Sequence, residues 1–370
     1  VINQQANTVV AVDIPSGISS DSGLKLGKQA VEADITVTFI GLKKGQFTAD
    51  AKDHIGELVF DDLQADSAIA QDQPCDAQLS QLSMLAERIP QRHNTAYKNS
   101  SGHLLVIGGD TGMGGAALLT ASAAVCCGTG LVSVATRVEH TAAIVASQPE
   151  LMAKGIGKTL DVVRLLDRAS AVVIGPGLGV GPWSQQLLVH SLMFLLENKP
   201  MPLLLDADAL NLLASRPEIY DLFSQLQSKH PYSAILTPHP GEAERLIERK
   251  IADRFELVSE LEKKYTSTIV LKGAGTLIAK ENQTRVCSYG NAVLATAGSG
   301  DVLSGVIGAW LAQQLPTFEA AELGVCLHAA AADEYLATQG EKGMTAGDLP
   351  YLMVDVLNEL TSDETHSDNQ

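Results

Sequence analysis

The sequence predicts an α/β fold built on a mostly parallel sheet, and three observations carry that prediction. From residue 103 onward, short apolar runs rich in Val, Ile and Leu alternate with helical patterns. Four of the six runs close on a glycine- or proline-containing turn. The composition joins 32 glycines and 45% hydrophobic residues to only 4% aromatics. Apolar strands alternating with helices imply right-handed βαβ crossovers and a sheet covered on both faces.

In chain order, residues 8–14 (TVVAVDI) and 34–40 (DITVTFI) read as strands closed by Gly-containing turns, and a third short strand ends near Phe60. Residues 61–95 carry many Asp, Gln, Ser and Ala around a short helical stretch at 79–88, and read as a linker or strap. Further strand candidates are 103–109, 131–136, 171–177, 202–208, 233–239 and 267–273. Helical patterns fall at 115–127, 183–197, 209–213, 242–265, 301–314, 318–338 and 346–360. Residues 355–370 hold five acidic groups and no Lys or Arg, so the end reads as an acidic tail. The uncharged stretch 111–136 reads as a buried helix followed by a strand, since it is rich in Gly, Ala, Ser and Thr and poor in Leu.

Length and charge exclude several classes. The 370 residues fit one large or two smaller domains and, being 45% hydrophobic, exclude global disorder. With 26 basic against 43 acidic side chains the net charge is −17, opposite to what a sequence-independent nucleic-acid or anionic-membrane binder needs. That charge divides as −6 over residues 1–95 and −11 over 96–370. Five cysteines without a CxxC spacing form no disulfide framework, so a reducing, cytoplasmic compartment is expected. Nine histidines include no HxxxH or HExxH, which argues against a zinc site. Cys126, Cys127, His328, Trp183 and Trp310 read as core residues. The chain opens at Val1 with no Met and no targeting segment, and is expected to be a cut end.

The turns carry the chemistry. In an open parallel sheet the carboxyl ends of the strands form the ligand crevice, and five motifs fall there. They are GGD (108–110), GPGLG (175–179), DADAL (206–210), TPHPGE (237–242) and KGAGT (272–276). The sharpest signal is AGSGD at 297–301, which leads into an apolar helix. Glycines at a helix start let backbone N–H groups face an anion, and the helix dipole adds roughly +0.5 charge there. An acid at that spot can take a proton from a hydroxyl while the amides stabilise a phosphoryl group in transfer. A Walker A reading fails because no Lys-Ser/Thr follows, and a dinucleotide GxGxxG reading fails too. Glu242 can hold Mg²⁺ through water near phosphates.

Together these motifs resemble the ribokinase-like ADP/ATP-dependent NAD(P)HX dehydratase family, the carboxy-terminal half of bifunctional NAD(P)HX repair enzymes, over roughly residues 97–360. The resemblance implies a ribokinase-like three-layer sandwich. It implies phosphorylation of the ring hydroxyl of (S)-NADHX or (S)-NADPHX by ADP or ATP with Mg²⁺. Elimination of phosphate then restores NADH or NADPH. By the same resemblance Asp301 is the base, and Gly298, Ser299 and Gly300 form the anion hole. Lys272, Gly273, Ala274, Gly275 and Thr276, with Gly300, bind the nucleotide. Ala116, Gly179, His239 and Asp301 line the NAD(P)HX pocket, and Glu242 helps position Mg²⁺. A homo-oligomer working on small molecules is expected, with no nucleic-acid or membrane partner.

Residues 12–17 (VDIPSG) and 42–45 (LKKG) resemble the closing part of the NAD(P)HX epimerase domain. That resemblance implies substrate contact by Asp13 and a K⁺ ion held by Ser16. The domain's earlier half, with its Asn- and Gly-rich phosphate loop, is expected to be missing from this chain. The expected organisation is therefore a truncated epimerase part at 1–62, a linker at 63–95, the dehydratase domain at 96–361 and an acidic tail at 362–370. Little epimerase activity is expected of this chain. Two other readings remain: a vitamin or sugar kinase on the same fold, and a non-catalytic nucleotide-binding scaffold. A kinase would release a stable phosphorylated product, and Asp301, His239 and Lys272 count against a scaffold.

Overall fold

A sheet buried on both faces needs apolar side chains at consecutive positions along each strand, and the central runs supply them. In the computed structural model, which describes residues 2–5, 7–66 and 75–367, these runs pair into two sheets. Val1, Ala6, the 67–74 portion of the expected linker and the 368–370 end of the expected tail lie outside the described residues.

The small sheet is parallel, in the order β1 (Val10–Val12), β2 (Ile35–Phe39), β3 (Glu57–Asp61). The large sheet contains β4 (Gln78–Leu79), β5 (His103–Ile107), β6 (Leu131–Thr136), β7 (Met152–Gly155), β8 (Ala171–Ile174) and β9 (Leu203–Leu205). It continues with β10 (Ala234–Leu236), β11 (Thr268–Leu271), β12 (Thr276–Lys280) and β13 (Gln283–Cys287). Its order is β4-β13-β12-β11-β10-β9-β8-β5-β6-β7. Among its described residues, this sheet pairs antiparallel only at β11–β12 and β12–β13.

Among the described residues nine helices have eight or more residues. They are α1 (Gly114–Cys126), α2 (Pro182–Glu197), α3 (Ala207–Ser215), α4 (Pro217–Lys229), α5 (Pro240–Ile247), α6 (Arg254–Tyr265), α7 (Ser299–Ala312), α8 (Thr317–Gln339) and α9 (Leu349–Ser367). Helices α1, α7, α8 and α9 share one core with Leu104, Val106, Val173, Leu204, Ile235 and Val270. Helices α2 to α6 share the other with Leu105, Ile107, Val172, Ile174, Leu203, Leu205, Ile269 and Leu271. Alternate residues of each strand thus serve opposite layers, which makes the three-layer sandwich expected of a ribokinase-like fold. Helices α1 and α7 touch backbone to backbone, since a Cβ on Gly305 would lie 2.0 Å from the Thr120 carbonyl oxygen.

Several local expectations are corrected. The helix expected over 242–265 is two, because Glu248 turns left-handed at φ 63° and Asp253 caps α6 through the N–H groups of Phe255 and Glu256. Helix α9 runs to Ser367, into the stretch expected as an acidic tail. Strands β7, β12 and β13 and helix α4 escaped the periodicity reading. Within the stretch expected as a linker or strap, β4 pairs with β13, and Leu82 and Leu85 enter the core. Residues 111–136 resolve into α1 and β6, and among the described residues no helix is long and apolar enough to cross a membrane.

Strand β5 lies between β6 and β8, so successive connections run outward in opposite directions from that point. Such a reversal leaves a crevice at the carboxyl edge, where ligands bind in open α/β sheets.

Candidate active site

The motif turns converge on that edge. Gly108–Asp110 follows β5, Gly175–Gly179 follows β8, Asp206 follows β9, Thr237–Glu242 follows β10 and Lys272–Thr276 follows β11.

At the centre is an ion pair that the sequence reading passed over. Asp206 is 1% exposed, and its Oδ1 accepts from Lys272 Nζ at 2.7 Å while Oδ2 accepts from Ser304 Oγ at 2.7 Å. Burial alone would raise this carboxyl's pKa. The Lys272 charge and the bonds from Lys272, Ser304 and Thr237 outweigh it, and hold Asp206 ionised below its usual range. Burial pulls the Lys272 ammonium down, but Asp206 and Glu242 raise it above its ordinary value. A fixed cation therefore sits beneath the start of α7, 3.6 Å from where a Cβ on Gly300 would be.

Gly298 caps α7 at φ 93°, a left-handed conformation that favours glycine, and a Cβ there would meet Leu119 Cδ1 at 2.6 Å. The first N–H groups of a helix have no acceptor within it, so those of Gly300 and Asp301 remain for an anion. Ser299 contributes less than its place in the motif suggested. Its hydroxyl donates to the Leu294 carbonyl at 2.9 Å, and its N–H points to the Thr296 carbonyl at 3.3 Å. The Ser299 carbonyl pairs with His328 Nε2 at 3.0 Å. His328 is the satisfied core histidine the sequence suggested, and burial lowers its pKa to about 4, so it stays neutral. Asp301, in the first turn of α7, has its pKa raised to about 6, chiefly by burial and then by the Asp206 and Asp208 charges, with Lys272 opposing. A carboxyl poised near 6 is one that accepts a proton readily near neutrality.

His239 and Glu242 cap α5 reciprocally. His239 Nδ1 accepts from the N–H groups of Gly241 at 3.0 Å and Glu242 at 3.3 Å, and Glu242 Oε2 accepts from the His239 N–H at 2.8 Å. An accepting Nδ1 leaves the proton of the neutral ring on Nε2, which lies 3.5 Å from Glu242 Oε1. Burial, then the Lys272 and Arg245 charges, lower the His239 pKa. Glu242 is 5% exposed, and burial, aided by Asp206, raises its pKa.

Next to the switch point, in the turn after β8, Gly179 donates its N–H to Asp208 Oδ2 at 2.8 Å, and a Cβ on it would meet Asp110 Oδ2 at 2.8 Å. Ala116 lies across the same turn, its Cβ 3.0 Å from where a Cβ on Gly177 would be. Arg137 Nε donates to Asp110 Oδ1 at 2.7 Å, and its guanidinium stacks 4.1 Å from the Trp183 ring centre. The structure thus brings Lys272, Gly298, Gly300, Asp301, His239 and Glu242 together around one ion pair, while Ala116 and Gly179 lie at the turn that follows β8. Asp206 and Ser304 were missed. The signal for Asp206 was present, as the acid ending the fully apolar run LLL. Ser304 stands one helical turn beyond Asp301, inside an apolar stretch that reads as core.

In the small sheet, Asp13 sits at the carboxyl end of β1 with φ 68°. Its Oδ1 pairs with the Lys43 ammonium and accepts from Thr38 Oγ1 at 3.0 Å. Burial pushes the Asp13 pKa up, but the Lys43 and Thr38 bonds and the Lys43 charge outweigh it and leave it below the usual range. Ser16 is exposed, and its carbonyl accepts the Val31 N–H at 2.9 Å.

Comparison with known proteins supplies the chemical context. The model of the family described as NAD(P)H-hydrate dehydratase matches residues 104–353, and that described as YjeF-related protein N-terminus matches residues 1–45. The bifunctional NAD(P)H-hydrate repair enzyme of Coxiella burnetii is 44% identical over 95% of this chain and 70% of its own length. The ADP-dependent (S)-NAD(P)H-hydrate dehydratase of Neisseria meningitidis is 40% identical over 70% of this chain and 86% of its own. Among solved structures, the ADP/ATP-dependent NAD(P)H-hydrate dehydratase of Bacillus subtilis, co-crystallised with ATP/Mg²⁺, is 27% identical. It superposes with a TM-score of 0.66 over 78% of this chain and all of its own.

Proposed function

The chain belongs to the NAD(P)H-hydrate dehydratase family, and from that membership and the poised carboxyl of Asp301 we propose how it works. It converts (S)-NADHX and (S)-NADPHX back to NADH and NADPH at the expense of ADP or ATP. Asp301 takes the proton of the ring hydroxyl, and the hydroxyl oxygen attacks the terminal phosphorus. The bond from that phosphorus to the bridging oxygen breaks, releasing AMP or ADP. Phosphate then leaves the ring carbon with the C–O electron pair. A neighbouring C–H gives up its proton, and the ring double bond is restored. The N–H groups of Gly300 and Asp301 and the Lys272 ammonium face the charge that develops on the transferring phosphoryl group. Gly298 holds the helix start close, while His239 and Glu242 fix the adjoining wall. The Lys272–Thr276 turn carries the nucleotide, and Ala116 and Gly179 bound the hydrate pocket.

Among the described residues no group of three or more His, Cys, Asp or Glu could hold a metal. Mg²⁺ usually rests on one or two carboxylates plus substrate phosphates and water. Glu242 Oε1, left over from the cap, fits that role, and Mg²⁺ when bound neutralises phosphate charge. The stretch around Ser16 offers K⁺ an exposed hydroxyl and a carbonyl already bonded, which is not a cage on its own.

The single observation carrying this reading is a carboxyl with raised pKa in the first turn of α7, beside the Lys272–Asp206 pair. An absorbance assay of (S)-NADHX with ADP and ATP in parallel tests it. Appearance of the reduced-nicotinamide band with release of phosphate is expected, and a stable phosphorylated product without that band would support a kinase instead. The same assay on (R)-NADHX reports on the unit containing Asp13, where Asp13 and Lys43 are the groups proposed to meet substrate.

A further inference from the structure

The turn joining β11 to β12 is tied down from two directions. From within its own domain, Arg254 donates to the carbonyls of Leu271 at 3.1 Å, Lys272 at 3.4 Å and Gly275 at 3.3 Å. Burial lowers the pKa of this guanidinium to about 10, and it pairs with no carboxylate among the described residues. Thr276 Oγ1 donates to the Gly273 carbonyl at 3.2 Å.

The remaining hold comes from the N-terminal unit, more than two hundred residues away in sequence. Thr48 is fully buried, and its hydroxyl lies 3.0 Å from the carbonyl oxygens of both Ala274 and Gly275. The Ala49 N–H donates to the Ala274 carbonyl at 3.1 Å, from a left-handed backbone at φ 56°. The approach leaves no slack, since a Cβ on Gly275 would stand 1.8 Å from the Phe47 carbonyl oxygen. Lys52 Nζ extends the seam by donating to the Ser288 carbonyl at 2.8 Å.

Every carbonyl from Leu271 to Gly275 therefore faces a protein donor. The N–H groups of Gly273, Ala274 and Gly275 donate to no backbone acceptor among the described residues. A turn whose carbonyls are held back presents its amides outward, the polarity that suits an anionic ligand.

We infer that Thr48 is a positioning residue for the nucleotide. Its hydroxyl, with the Ala49 N–H, sets the Lys272–Thr276 turn from the N-terminal unit, so nucleotide binding and the order of residues 44–53 are coupled. The inference rests on the proposed reading of that turn as the nucleotide contact. Coupling of this kind is reciprocal: what orders the turn tightens the nucleotide, and the nucleotide stiffens the segment that orders the turn.

The test uses the full chain with Thr48→Val, which keeps the volume and removes the donor, and Thr48→Ser as rescue. For Thr48→Val, the Kd (by calorimetry) and KM for ADP should rise roughly three- to tenfold, the effect of one lost hydrogen bond. The kcat and the KM for (S)-NADHX should stay within about twofold. Thr48→Ser should return the ADP values to those of the wild type. Hydrogen exchange on the wild type, which needs no variant to fold, should slow at residues 44–53 when ADP is added. An ADP Kd unchanged in an active Thr48→Val variant, equal losses in the Val and Ser variants, or no ADP-dependent protection at 44–53 would each overturn the coupling. A wild type that binds ADP but never turns over (S)-NADHX would instead overturn the functional reading beneath it.

Discussion

Replacing Asp301 by Asn should make the protein more stable and nearly inactive, with a pH dependence that separates the two effects. Burial and the Asp206 charge hold the native carboxyl at about 6, against 3.8 for the free side chain. At 1.36 kcal/mol per pH unit, the charged form costs the native state up to roughly 3 kcal/mol, and about 1–3 kcal/mol once its partial exposure is considered. Below pH ~4 the carboxyl is protonated in both states, so Asn gains nothing. Between 3.8 and about 6 the unfolded chain ionises first, and wild-type stability falls as pH rises. Above 6 both states are ionised and the full cost is present. Urea unfolding of wild type and Asp301→Asn at pH 4.5, 6 and 8 should show a stability gap that widens with pH. At about 2–4 °C per kcal/mol for a domain of this size, the melting temperature at pH 8 should rise by several degrees. Turnover of (S)-NADHX should fall by about 10²–10⁴, the range for a lost general base, while ADP still binds. A gap that is the same at pH 4.5 and 8, or turnover within tenfold of wild type, would refute the reasoning.

Three further outcomes are expected. In the wild type, kcat/KM at saturating ADP should climb tenfold per pH unit below about 6 and level off above it, because only ionised Asp301 accepts the proton; a flat profile from pH 5 to 8 would argue against this base. Lys272→Met leaves Asp206 buried without its partner, so stability in urea should drop by about 3–5 kcal/mol, and Lys272→Met with Asp206→Leu should recover much of it. Gly298→Ala, strained at φ 93° and crowding Leu119, should lower kcat and destabilise by about 1–3 kcal/mol, seen in parallel activity and melting measurements.

Much of the site was legible because its chemistry is local. A glycine cluster followed by an acid and an apolar helix describes the start of α7 in a single stretch, and Asp301 stands there. Pro238, Pro240 and Glu242 likewise mark the start of α5 without reference to the rest of the chain. Ser299 shows the limit of local reading: its place suggested an anion contact, but its hydroxyl turns back to Leu294. Asp206 and Ser304 show the other limit. They are 98 residues apart, and only the packing of α7 over the end of β9 makes them partners.

The sequence by itself determined the layered α/β architecture, because a strand buried on both faces must be apolar at consecutive positions, and that requirement is written residue by residue. It also determined where the turns lie, since glycine and proline impose backbone geometry locally. The tertiary structure alone decided the electrostatics and the assembly of the site. Whether Lys272 neutralises Asp206, whether Asp301 is raised to about 6, and whether Thr48 of the N-terminal unit reaches the Lys272–Thr276 turn depend on burial and on distances between segments far apart in the chain. Those quantities come into being only when the strands pair and water is excluded, so they follow from the fold and not from any one stretch of sequence.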